Sequence, residues 1–101
     1  MVRQDEIEWL RDSLETADRL LRNRGDIGQR LAKARERVVW MHRHHMPTRR
    51  ATAALTKVKA EFEQLRLEPP VKAADLKPLR QSIADMLKAV EDCLRHLLGG
   101  S

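Results

Sequence analysis

Five residues near the middle of the chain, Arg30, Lys33, Arg37, Trp40 and His44, recur at alternating steps of three and four. That spacing places them on one row along an α-helix. Three cations, an indole and an imidazole in a row suit a polyanion. The cations neutralise phosphates and release counterions, and an exposed Trp stacks on an unpaired base. Arg43, Arg49, Arg50, Lys57 and Lys59 extend the cationic set. The row lies roughly 100° around the helix from an apolar stripe, so it borders the core and faces outward. A blander account is open for each residue: charges beside a bundle seam lay their stems over the core edge and keep their heads in water. On that account Trp40 simply packs between helices.

The blander account does not cover the block as a whole. Between Arg19 and Lys59 there are 12 Lys/Arg against two acids, Asp26 and Glu36, a net +10. The other 60 residues carry 8 Lys/Arg and 13 Asp/Glu, a net −5, which brings the whole chain to +5. Such segregation makes a directional field that attracts polyanions. Asp5, Glu6, Glu8, Asp12, Glu15 and Asp18 crowd the first segment and offer partners within the chain or across a dimer. Exposed pairs of that kind contribute ~0–1 kcal/mol each. Six acids do not offset twelve cations, so a positive surface is expected to remain.

Two further pairs have ligand spacing. His42 and His45 are three apart, as are Cys93 and His96, and three His with one Cys is an acceptable tetrahedral zinc set. The second and fourth helices of an up-down-up-down bundle end at the same pole, so the pairs are able to meet. However, His45 and Cys93 fall on core stripes, where a small thiol and a partnered imidazole pack well. Packing is the preferred reading, and neither metal nor cofactor is expected. Catalytic signatures are missing too: there is no Gly-rich phosphate loop, no nucleophile elbow and no His-Glu-x-x-His.

Four segments show helical periodicity. The stripes are Ile7, Leu10, Leu14, Ala17 and Leu21; Ile27, Leu31, Ala34, Val38, Met41 and His45; and Ala51, Leu55, Val58, Phe62 and Leu65. The last runs through Leu76, Leu79, Ile83, Met86, Val90, Cys93 and Leu97, widened by Leu87, Leu94 and Leu98. Steps of three and four line one helix face, whereas a strand would need period two. Gly25 suits a C-cap and Asp26 an N-cap between the first two segments. Pro47-Thr48 divides the second from the third, Glu68-Pro69-Pro70 stops the third, and Asp75 is placed to cap the fourth with Pro78 in its first turn. The pattern predicts an all-α antiparallel bundle of four helices, or three if the first two run on continuously from about residue 4 to residue 45.

Length and composition agree. A chain of 101 residues makes one domain, residues 1–98, with 99–101 as a tail. Apolar residues are 42% of the chain but only three are Phe or Trp and none is Tyr, so the core is expected to be aliphatic. No run approaches the ~18 apolar residues of a membrane span, and the first residues lack the apolar region of a secretory signal. With a single cysteine, these features lead to the expectation of a soluble, cytoplasmic protein without membrane contact.

Two resemblances bear on function. Arg24-Gly-Asp-Ile-Gly-Gln-Arg-Leu-Ala-Lys-Ala-Arg35 resembles part of the first helix of small helical chorismate mutases, whose sites bind a dianion through Arg and Lys. The Arg-Glu pair of that family's next helix is absent here, since Arg49-Arg50 is followed by Ala51-Thr52-Ala53-Ala54, and no enzyme is expected. In size, helical pattern and basic surface the whole chain resembles the small helical subunits of CRISPR surveillance complexes, which line the backbone of an RNA–DNA hybrid or the displaced strand. No motif carries this likeness, and phage-encoded inhibitors and plasmid accessory factors share it. The expected function is a non-enzymatic module that binds RNA or DNA backbone within a larger complex, alongside other protein subunits or as a homo-oligomer. The alternative is an adaptor or inhibitor whose basic face docks an acidic protein.

Overall fold

The computed structural model describes residues 2–22, 28–44, 48–65 and 73–98, which form four α-helices and no strand. They are α1 (Gln4–Arg22), α2 (Gly28–Arg43), α3 (Arg49–Gln64) and α4 (Ala73–Leu98). On α1, Ile7, Leu10, Leu14, Ala17 and Leu21 are all buried, and Asp5 and Glu6 place negative charge at the positive end of the helix dipole. On α2 the buried set is Gly28, Leu31, Ala34, Val38 and Met41, and His42 and Arg43 complement its C-terminal end.

Thr48 caps α3 from an extended backbone (φ −137°, ψ 158°), its hydroxyl accepting from the Ala51 N–H at 3.0 Å. The helix stops at Gln64. Leu65 turns to φ −85°, ψ 138° while its N–H still donates to the Phe62 carbonyl. The expected caps at Gly25 and Asp26, the break at Pro47 and the stop at Glu68-Pro69-Pro70 lie outside the described residues. One boundary is corrected. Because α4 begins at Ala73, Asp75 is inside the helix rather than its cap, and Pro78 is the sixth residue instead of a first-turn residue. Pro78 has no N–H to offer the Ala74 carbonyl, but that loss falls ahead of Leu79, the first residue of the helix shown buried in the core.

The helices alternate in direction. Arg37 on α2 reaches Glu6 near the start of α1 at 3.8 Å. In one continuous helix those residues would stand about 46 Å apart, so the three-helix alternative is excluded. Likewise His42 near the end of α2 meets Thr56 of α3, and Cys93 near the end of α4 meets Ala51 at the start of α3. The result is a ring in which α1 and α3 each pack on both α2 and α4. With 26 residues α4 is ~39 Å long, close to the 41 Å long axis of the molecule. It forms the larger interfaces, and α2 the smaller ones.

Leu31, Val38, Val58, Phe62, Ile83 and Val90 meet in a single core cluster, which Val2 and Ala54 also join. Phe62 is the largest of the fully buried side chains. Among the described residues no helix is long and apolar enough to cross a membrane.

Candidate nucleic-acid interface

The row on α2 forms as spaced: Arg30, Lys33, Arg37, Trp40 and His44 are all exposed. Its second half is already a stack. The Arg37 guanidinium lies over the Trp40 ring, 4.5 Å from the centroid, and the His44 ring is stacked on the same indole with centroids 3.8 Å apart and planes 25° off parallel. Arg37 comes from the turn before Trp40 and His44 from the turn after. His44 Nδ1 is 2.7 Å from the Trp40 carbonyl oxygen. A carbonyl only accepts, so Nδ1 carries the proton and Nε2 is the imidazole's other nitrogen. Trp40 is 37% exposed, so it is not packed between helices, but neither is its ring bare.

The residue that sequence reasoning missed is Trp9. It is 40% exposed and sits roughly 110° from the centre of the α1 stripe, as an isolated aromatic on an acidic helix. That displacement was a readable signal, but its significance depends on α2 doubling back. Trp9 and Ser13 of α1, with Gln29, Arg30 and Lys33 of α2, line an open groove of about 350 Å³. On the other side of Trp9 lies a groove of about 320 Å³ lined by Asp5, Glu6 and Arg37 as well.

Glu6 pairs with Arg37, whereas Asp5 lies beside Arg3, Asp12 beside Arg11, and Glu8 accepts from the Gln4 amide. Lys59 of α3 pairs with Glu63 at 3.6 Å. Arg30, Lys33, Arg43, Arg49, Arg50 and Lys57 are exposed and pair with no carboxylate among the described residues.

These cations do not form one patch. Arg43 ends α2 and Arg49 and Arg50 begin α3, so the three share a pole of the bundle. Lys59 lies on the same side of α3 as Thr56, which faces α2 through His42. Lys57 stands apart, in a groove toward α4 shared with Glu61 and Asp85. Neither α2 nor α3 has an acid in its first turn, so Arg30 and the Arg49-Arg50 pair face the positive end of a helix dipole with no first-turn carboxylate beside them.

Three of the four residues considered for zinc have other partners. His42 Nε2 is 3.2 Å from the Thr56 hydroxyl, and His96 Nε2 is 3.4 Å from Asp92. The Cys93 thiol is buried and donates to the Ala51 carbonyl at 3.6 Å. Burial, then the nearby Asp92 charge, pushes the thiol pKa up to about 11, the opposite of what a thiolate ligand needs. Among the described residues no three His, Cys, Asp or Glu side chains cluster as a metal site, and His45 lies outside them. Compared with known protein families, characterised proteins and solved structures, the chain shows no match.

Proposed function

We propose that the protein is a non-enzymatic nucleic-acid-binding module, a small helical subunit that grips phosphate backbone as part of a larger complex. The observation that supports this reading is the set of exposed cations with no carboxylate partner among the described residues, Arg30 and Lys33 along α2 and Arg43, Arg49 and Arg50 at one pole. Arg30, Arg49 and Arg50 also occupy helix starts, where a cation is locally unfavourable and a bound phosphate would relieve it. Cations at exposed helix starts with no first-turn acid among the described residues fit a binding surface.

Contact with about six phosphates would cost roughly a thousandfold in affinity between 50 and 200 mM salt. Reversing Arg30, Lys33 and Arg37 to Glu abolishes oligonucleotide binding in a filter or anisotropy assay while the helical circular dichroism persists. Reversing Lys77 and Lys88 on α4 changes affinity much less. Unchanged binding in the triple variant, or no binding by the parent protein at low salt, sinks the proposal. The docking of an acidic protein then takes its place, a reading favoured by exposed Trp9 and Trp40, since Trp is enriched at protein interfaces.

A further inference from the structure

We infer that the groove between Trp9 and the start of α2 is a subsite for one unpaired nucleotide, with its base stacked on Trp9 and a flanking phosphate held by Arg30 and Lys33. This rests on the backbone-binding reading and goes beyond it, because it assigns a strand preference and a residue outside the basic block.

Three observations converge. First, of the two exposed indoles only Trp9 has its ring free of an aromatic or cation partner among the described residues; Trp40 already carries Arg37 and His44. A base seeking a flat apolar surface therefore meets Trp9 without displacing anything. Second, the groove beside that ring is about 350 Å³, within the range of small-ligand sites. It combines a π-face with the Gln29 amide and two cations that pair with no carboxylate among the described residues, so stacking, charge and hydrogen bonding are all available in one place.

Third, charge gives the subsite a direction. The groove on the far side of Trp9 is lined by Asp5 and Glu6 beside the single cation Arg37, and Arg37 is paired with Glu6. A phosphate is repelled there and attracted toward Arg30 and Lys33. The strand thus leaves the ring toward α2. A duplex, with its bases stacked and paired internally, presents only backbone and cannot use Trp9.

Both tryptophans of the chain are exposed, so Trp40→Phe leaves Trp9 as the sole indole fluorophore. Titrating that full-length variant with oligo-dT and with oligo-U should quench the emission, while an abasic strand of equal length should not. The two sugars separate DNA from RNA as the natural source. In the parent protein, Trp9→Ala should weaken single-strand binding ~10-fold, the usual size of one lost stacking contact. Duplex binding should stay within about twofold, and Trp40→Ala should leave the strand preference in place. Circular dichroism checks that the exposed substitution leaves the helices intact. If Trp9→Ala lowers single-strand and duplex affinity equally, or neither, or if the abasic strand binds as well as oligo-dT, the subsite is wrong although backbone binding stands. If the parent protein binds neither form at low salt, both readings fall.

Discussion

Glu6 Oε1 lies 3.8 Å from Arg37 Nη2, joining the first turn of α1 to the outward row of α2. Glu6 of α1 is thus ion-paired to α2, and its other oxygen, Oε2, is buried without a hydrogen-bond partner. The same Arg37 rests on the Trp40 ring, so one carboxylate and one indole together hold this guanidinium.

Removing the Glu6 charge should therefore separate stability from binding. Glu6→Gln is expected to alter unfolding free energy by about 1 kcal/mol or less, since the pair is long at 3.8 Å and the Arg37 side chain is 45% exposed. On the backbone-binding reading it raises oligonucleotide affinity a few-fold at low salt by releasing Arg37, and the gain fades as salt screens it. Urea melts and anisotropy titrations at two salt concentrations check both halves. A loss of affinity would mean that Glu6 positions Arg37 rather than competes for it.

Phe62 fills the middle of the core with 1% of its surface exposed. Phe62→Ala should cost ~3–5 kcal/mol, a large share of the stability of a domain this small. Chemical denaturation followed by circular dichroism measures it, and a cost below about 1 kcal/mol would show that the core repacks around the cavity.

Cys93 gives a pH dependence of known sign. Its thiol pKa rises from an ordinary 9.0 to about 11 in the folded chain, first through burial and then through Asp92. Its proton is held more tightly in the folded than in the unfolded state. The stabilisation is fully present below pH 9 and is lost as pH climbs from 9 toward 11. Melting temperatures of the parent and Cys93→Ala across that window should converge, with the parent falling more steeply. Parallel curves would show that the thiol does not titrate with unfolding.

The fold was legible because burial on α1, α2 and α3 follows single stripes. Ile7 to Leu21, Leu31 to Met41 and Ala51 to Phe62 were all identifiable from steps of three and four. The start of α4 was misplaced since Asp75 and Pro78 imitate a capped first turn, a local signal that the longer helix overrode. On the surface, intrahelical spacing alone puts Arg30, Lys33, Arg37, Trp40 and His44 in a common row. It could not reveal that Arg37 and His44 close over Trp40, because rotamers decide that. Nor could it pair Trp9 with Arg30 and Lys33, which requires the register between two helices. Lys57 fell away from the other cations for the converse reason: nearness in sequence on α3 does not keep it on the side facing α2.

The alternation of direction has a practical corollary. Gln4 of α1, Arg43, Arg49 and the closing turn of α4 with Arg95 all gather at one end of the bundle. Anything attached ahead of α1 or after α4 is thus delivered beside Arg43, Arg49 and Arg50 at high effective concentration. An acidic fusion at either terminus would act as a tethered decoy for those arginines, and a basic one would enlarge their reach. Reporter groups for binding work therefore belong at the opposite end of the molecule, where α1 finishes and α4 begins.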